Sequence, residues 1–485
     1  MNNDQEVFQS PISQKAQAAQ QPVAPVVQTP TQPTASQGPQ GATSFYRSDK
    51  NQPSKAKKIL TIFLGFFAVV LIIAVILFVI IPGFTKNAGA GKVTLTYWGL
   101  WEDSKTMQGI ISQFEAQNPN IKIDYSQQTI KQYRERLTTR INNGTGPDIF
   151  RFHNTWYPMF SSILLPLPSD IISKADFSKN FYPVAQKDLI RNGAIYGIPL
   201  EIDTLALFIN TDLLSSAGLT PPTTWNDFIN DARAMTVKDE NKKIKTAGAA
   251  MGAYDNVTHA PDIISLLFLQ NGVDMTNLKA SSDKVNGAFT FYASFTNDVN
   301  NVWDSTLDPS ILSFSKGNLA MYFGYSWDFF TIKQYNKNLS FEIVPVPQLP
   351  DKNVTMASYW AEGVSVKSPH QKEALLFMKF LAQKETETRL YSDATKERAF
   401  GEPYARVDLA STLRDNKNIY PFVYQAQNAS SSLFVDSTFD NGLNQQLDTY
   451  LGNVVNAVEG YSSVDSASDP FYKGVSQVLL KYGQQ

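Results

Sequence analysis

Apolar and polar positions change period several times along the chain from residue 93 onward. Every second residue is apolar from Val93 to Tyr97, which predicts a strand. Apolar residues then recur every three or four positions, which predicts a helix that ends before Asn118. A second strand, a second helix and a third strand at Ile149 follow. This order favours an α/β fold with a parallel sheet, in which ligands bind beyond the carboxyl ends of the strands.

Two later helices are also marked by their first residues. Thr224 with Asp227 three positions later resembles a capping box and predicts a helix from Trp225. Pro369 precedes a second stretch with apolar residues at helical spacing. Asp148 follows a glycine-rich turn, where we expect it to cap or brace a loop rather than to contact a ligand.

A long apolar segment precedes this region. Residues 59–81 carry no charge and exceed the roughly 20 apolar residues that a membrane-spanning helix needs. Lysines at 55, 57 and 58 flank its amino-terminal side, so the positive-inside rule places residues 1–54 in the cytoplasm and the rest outside. The alternative is a secretory signal cleaved near Ala88-Gly89-Ala90, but its apolar core would be unusually long. We therefore predict a single-pass anchor in the cell membrane.

The remaining composition narrows the function. Residues 1–54 are rich in Gln and Pro and have few large apolar side chains, which predicts a disordered tail, and residues 82–91 are predicted to be a linker. The net charge of −2 gives no basic field for nucleic acid. The chain has no cysteine and only 3 histidines, far apart in sequence, so thiolate chemistry and a histidine-based metal site are disfavoured. We expect no cofactor and no metal.

Several stretches, taken in order, resemble the extracellular solute-binding proteins of carbohydrate ABC importers, the maltose-binding-protein-like family. The stretches are Leu95–Glu102, Gly144–Ile149, Leu164–Leu167, Tyr196–Leu200, Phe208–Leu214, Phe314–Met321, Val344–Pro347 and Gly363–Val366. The resemblance implies a type II periplasmic-binding-protein fold, with two α/β lobes joined by crossing strands and a ligand cleft between them. It would place the N-terminal lobe at 92–202 plus 349–385 and the C-terminal lobe at 203–348 plus 386–485. The spanning helix and the tail depart from the family pattern.

A sugar site needs flat aromatic rings for the C–H faces of the sugar and charged or amide groups for its hydroxyls. Candidates lie at predicted strand ends, near the crossings or where the resemblance points to them. Asp203, with Glu201 as its rival, and Trp327 take their roles from the resemblance, as a carboxylate and a stacking ring. The predicted ligand-binding residues are Trp98, Trp101, Glu102, His153, Asn154, Trp156, Asp203, Tyr254, Trp327, Trp360 and Glu362.

Together with the apolar segment, the resemblance thus implies a membrane-anchored binding protein, not an enzyme, that captures a carbohydrate or similar small polar solute for ABC transporter permease subunits. Two alternatives stay open. Glu102, Asp203 and Glu362 could supply the carboxylate pair of a carbohydrate-active enzyme, which needs two carboxyl groups at a set separation. The Gln/Pro-rich tail could instead bind a cytoplasmic partner and make the protein a sensor.

Overall fold

The structure is a computed structural model that describes residues 92–296, 301–435 and 440–484. The predicted tail at 1–54, spanning segment at 59–81 and linker at 82–91 lie outside these residues. Across the described ranges, none of the helices combines the length and the apolar character that crossing a bilayer requires.

The strands and helices alternate along much of the chain. In chain order the strands are β1 (Val93–Gly99), β2 (Ile121–Gln127), β3 (Ile149–His153), β4 (Ile190–Arg191), β5 (Ala194–Ile195), β6 (Ile198–Pro199), β7 (Asp203–Thr204), β8 (Ala206–Asn210), β9 (Val237–Lys238), β10 (Ile244–Ala249), β11 (Leu319–Gly324), β12 (Phe341–Pro345), β13 (Thr355–Ser358), β14 (Trp360–Val364) and β15 (Ala429–Ser430). The helices are α1 (Ser104–Gln117), α2 (Tyr133–Asn142), α3 (Tyr157–Phe160), α4 (Lys174–Asn180), α5 (Pro183–Leu189), α6 (Thr211–Ser216), α7 (Trp225–Met235), α8 (Ala260–Gln270), α9 (Ser282–Ala293), α10 (Ser310–Ser315), α11 (Ser326–Tyr335), α12 (Gln371–Leu381), α13 (Lys384–Ala394), α14 (Tyr420–Gln425), α15 (Leu443–Glu459) and α16 (Val464–Lys481).

The first sheet contains the predicted parallel core and has the order β2-β1-β3-β14-β6. β1 runs parallel to both β2 and β3, as the strand–helix–strand pattern predicts. β14 comes from much later in the chain and pairs with β3 antiparallel, so that Glu362 lies opposite Arg151. Helix α1 begins where Asp103 accepts a hydrogen bond from the Thr106 backbone N–H at 2.8 Å, and it packs against α13.

The second sheet is built from residues 206–345 and has the order β12-β8-β11-β10-β9. β10 and β11 are parallel, and the other pairs in this sheet are antiparallel. Helix α7 packs against β10 and β11, and Thr224 caps it as predicted, accepting from the Asp227 backbone N–H at 3.2 Å. The long helices α15 and α16 pack against each other and against α9.

A small third sheet, β15-β13-β7, lies where the chain passes between the two large sheets. β7 leaves the first sheet for the second and β13 returns, and the two pair antiparallel through Asp203 with Ser358 and Thr204 with Ala357. Two α/β sheets joined by paired crossing strands form the predicted two-lobe architecture. The residue boundaries of the lobes stay a prediction.

Candidate functional site

The first crossing strand is joined to the start of α11. The Oδ2 atom of Asp203 accepts hydrogen bonds from the Ser326 backbone N–H at 2.9 Å and from its hydroxyl at 2.5 Å. Its Oδ1 atom accepts from the Thr204 N–H at 2.8 Å. Asp203 is buried, and this burial raises the pKa of its carboxyl group. The carboxylate therefore holds the segment that carries Trp327 against the crossing.

Trp327 is the most exposed of the seven tryptophans, at 38%. Its ring stacks on the buried ring of Tyr325, with centroids 4.4 Å apart and planes 14° from parallel. The hydroxyl of Tyr325 donates to Asp262 Oδ1 at 2.5 Å. The lower ring is thus fixed by a buried hydrogen bond, and the upper ring offers a flat apolar face to solvent at the end of β11.

His259 lies beside this stacked pair and forms part of its support. Its Nε2 atom is 2.8 Å from Asp328 Oδ2, and its Nδ1 atom is 3.7 Å from Asp262 Oδ2. Burial of the ring lowers the pKa of His259, but the two carboxylates outweigh burial and raise it to about 10. The imidazole is therefore protonated at neutral pH and lies between the carboxylates of Asp262 and Asp328, beside the stacked Tyr325 and Trp327 rings.

The first lobe contributes a second aromatic group around Trp360. The partly exposed ring of Trp101 meets Trp360 edge-on at 5.6 Å, and the fully buried ring of Trp156 meets it at 5.2 Å. His153 packs edge-on against the same indole at 5.1 Å. Of these rings, Trp101 is the one with substantial exposure, and the others support it from below.

His153 and Asn154 lie at the carboxyl end of β3, as predicted, but both are buried. The ring nitrogens of His153 lie 2.7 Å from the Thr155 hydroxyl and 3.0 Å from the Ser358 hydroxyl. Burial lowers the pKa of His153 to about 3, so its ring is neutral. Asn154 donates to Asp188 Oδ2 at 2.9 Å. Both side chains tie β3 to its neighbours.

Glu102 and Glu362 meet on a shared partner, Arg151. The Arg151 Nε atom donates to Glu362 Oε1 at 2.6 Å, and its Nη1 atom donates to Glu102 Oε2. All three side chains are buried. A buried charge needs close partners because water no longer solvates it, and one guanidinium here serves two carboxylates.

Trp98 and Tyr254 are the remaining predicted residues, and both are partly buried. The Arg140 guanidinium lies 5.9 Å from the centre of the Trp98 ring. The Tyr254 hydroxyl donates to Asp448 on α15. Asp148 braces β1 as expected, accepting from the Thr96 N–H at 2.8 Å and from the Ser368 hydroxyl at 2.5 Å.

The structure thus brings Trp101, Trp156, His153 and Trp360 together in one lobe and places Trp327 beside the Asp203 crossing in the other. The sequence analysis missed Arg151, Tyr325 and His259. The signal for Arg151 was a charge inside the apolar run Ile149–Phe152, which requires a buried partner. For His259 and Tyr325 the sequence carried no clear signal, because the hydrogen bonds of His259 to Asp328 and of Tyr325 to Asp262 each join residues more than sixty positions apart.

A family profile and two relatives with similar sequences all indicate a binding protein. The profile of the family described as bacterial extracellular solute-binding protein matches residues 98–388, more than half of the chain. The multiple sugar-binding protein of Streptococcus mutans is 23% identical over 307 residues, covering 60% of this chain and 71% of that protein. A binding protein of Brucella abortus is 27% identical over 151 residues, so the match spans only 36% of that relative's length.

Among solved structures, the sugar-binding protein MalE of Xanthomonas citri superposes with a TM-score of 0.66 at 19% identity. The superposition covers 80% of this chain and 98% of that one. At this identity the likeness establishes the fold, two α/β lobes of the periplasmic-binding-protein kind.

Proposed function

Because the chain belongs to the bacterial extracellular solute-binding protein family, we propose that it captures a sugar or oligosaccharide outside the cytoplasm and delivers it to an ABC importer. Two similar proteins, from Streptococcus mutans and Xanthomonas citri, are described as sugar-binding, which supports carbohydrate as the ligand class. Residues 59–81 would anchor the protein in the membrane, with residues 1–54 in the cytoplasm and the permease subunits as partners.

The observation that carries the proposal is the half-exposed Trp327 ring held flat on the buried Tyr325. A sugar presents apolar C–H faces that pack on such a ring, while polar groups around it bind the hydroxyls. Trp101 would supply a second ring from the other lobe, backed by Trp360. Ligand contacts from both lobes would favour a closed state over an open one, with rotation at β7 and β13.

Each of the three carboxylates considered for hydrolysis has at least one oxygen that accepts a hydrogen bond from within the protein. Glu102 and Glu362 share Arg151, and Asp203 accepts hydrogen bonds from Ser326 and Thr204. A glycosidase instead needs one carboxyl group poised as an acid and a second directed at the sugar or its water. These contacts favour capture without turnover.

The experiment is isothermal titration of the purified protein with a panel of mono- and oligosaccharides, followed by a Trp327→Ala variant. A stacked aromatic ring contributes roughly 1 kcal/mol or more beyond its buried area, so we expect the variant to bind about tenfold or more weakly. Tyr461→Ala, which removes a ring that is 99% exposed, is the matched control and should bind like wild type. A panel without any ligand, or equal affinity of wild type and Trp327→Ala, would refute the proposal.

A further inference from the structure

Three glutamates from distant parts of the chain converge at one point beside the crossing. Glu102 follows β1, Glu201 precedes β7 by two residues, and Glu402 lies between α13 and α14. One carboxylate oxygen from each lies within 4.8 Å of the other two. Glu102 and Glu201 are buried, with 6% and 7% exposure, and Glu402 is partly buried.

The surrounding positive charge does not balance this cluster. Arg398 donates to Glu402 Oε1 at 2.5 Å, and Arg151 serves Glu102 but also Glu362. Two guanidinium groups therefore face four carboxylates, which are the three of the cluster and that of Glu362. When all of these groups are ionised, a net charge of −2 remains. Burial and the neighbouring Glu402 raise the pKa of Glu201, as expected for a carboxylate that lacks compensation.

A small cavity adjoins the cluster, and two of the glutamates that line it each have one carboxylate oxygen without a hydrogen-bond partner within the described ranges. The cavity has a volume of ≈ 10 Å³, and its charged lining residues are Glu102, Glu402, a further acid, Glu387, and one base, Arg398. Glu387 is 1% exposed, and its Oε1 atom finds no hydrogen-bond partner among the residues that the structure describes. The Oε1 atom of Glu102 likewise has no hydrogen-bond partner in the part of the chain that the structure describes. Buried oxygens of this kind are costly unless a cation or donor meets them.

We propose that the Glu102–Glu201–Glu402 cluster binds a divalent cation and that the cation is Ca²⁺. Calcium takes six to eight oxygen ligands at roughly 2.3–2.6 Å, so three carboxylate oxygens that all lie within 4.8 Å of one another can reach a single ion. One divalent ion also cancels the excess of two negative charges. Magnesium demands near-octahedral contacts at about 2.0–2.1 Å and gives up its water ligands reluctantly, so it suits a site with two buried glutamates, Glu102 and Glu201, less well.

The position of the cluster gives the cation a structural consequence. Glu201 forms a β-bridge with Tyr404, and two residues later the chain enters the crossing strand. A bound ion would join the loop after β1, the crossing and the loop that carries Glu402. It would therefore stabilise the crossing region independently of any sugar, and its failure would leave the proposed sugar capture untouched.

The test uses the full-length purified chain, stripped with EDTA and titrated with CaCl₂ or MgCl₂ while Tm and heat of binding are recorded. We expect CaCl₂ to raise Tm with a Kd of about 10⁻⁴–10⁻³ M, the range of extracellular calcium modules. Glu201→Gln and Glu402→Gln should each weaken calcium binding at least tenfold. The control Glu397→Gln removes an exposed carboxylate that pairs with Lys105 and should bind calcium like wild type.

A second readout separates loss of the ion from loss of the fold. In EDTA, Glu201→Gln should melt at or above the wild-type Tm, because it removes one of several crowded like charges. The proposal fails if about 10 mM CaCl₂, ten times the weakest Kd expected, leaves the Tm of the wild-type protein unchanged. It fails equally if both glutamine variants retain the full calcium response, since the ion would then bind elsewhere.

Discussion

Replacing Arg151 with methionine tests the buried ion triad directly. The guanidinium is 1% exposed and serves two buried carboxylates, Glu102 and Glu362. Removing one partner of a buried ion pair costs about 3–5 kcal/mol, because the remaining charge stays buried without compensation. With two carboxylates left behind, we expect Arg151→Met to lower the free energy of unfolding by at least that amount at neutral pH.

The loss should depend on pH in a defined direction. Burial raises the pKa of Glu362, and Arg151 opposes that rise. Without Arg151 the pKa rises further, so the folded variant binds more protons than the unfolded chain and gains stability as pH falls. The gap between wild type and variant should therefore be wide at about pH 7.5 and narrow at about pH 5.

Urea denaturation followed by tryptophan fluorescence measures both quantities. The triple variant with Glu102→Gln and Glu362→Gln should regain most of the lost stability, because neutral amides need no cation. Arg389→Met, which removes a half-exposed partner of Asp393, is the matched control and should cost under about 1 kcal/mol. A single variant as stable as this control, or a triple variant no better than Arg151→Met, would refute the reasoning.

The remaining predictions concern the pH-dependent contacts of His259 and the hydrogen bonds of Asp148. His259 has a folded pKa of about 10 against an ordinary value of 6.5, so its stabilising contribution is complete below pH 6.5 and is lost as pH rises towards 10. Urea midpoints of wild type should fall across that window and those of His259→Gln should fall less; parallel curves would contradict this. Asp148→Ala removes the acceptors of the Thr96 N–H and the Ser368 hydroxyl, and each lost hydrogen bond should lower the free energy of unfolding by about 1.5–3 kcal/mol. The control Asp170→Ala removes an exposed carboxylate and should change the free energy of unfolding by little.

Much of the local structure follows from sequence patterns alone. The alternation from Val93 predicted β1, and apolar spacing predicted α1, whose buried residues are Met107, Ile110, Ile111 and Phe114. The Thr224 cap and the bracing role of Asp148 were also predicted correctly. The strand, the helix and the Thr224 cap depend on residues close in sequence. The contacts of Asp148 follow from the general rule that a buried carboxylate accepts hydrogen bonds.

The long-range pairings were less accessible. β14 enters the first sheet between β3 and β6 although about two hundred residues separate it from β3. This pairing sets Glu362 opposite Arg151, and no local pattern near residue 362 contains that information. The resemblance to a family supplied the two-lobe architecture, but it did not reveal which carboxylates would be consumed by internal ion pairs.

Some of the predicted ligand-binding residues are exposed, whereas others are buried and hold the exposed ones in place. The sequence does not separate these two groups, which explains why so many candidates were predicted. Strand ends and crossings correctly marked where polar and aromatic residues gather, because a two-lobe α/β fold directs those ends to one region. Exposure, however, depends on which ring lies on top. Trp327 rests on Tyr325 and keeps 38% of its surface open, whereas Trp156 and Trp360 are covered by their neighbours. A tryptophan in sequence looks the same in both positions, so only the packed structure separates a ligand platform from the aromatic layer that holds it in place.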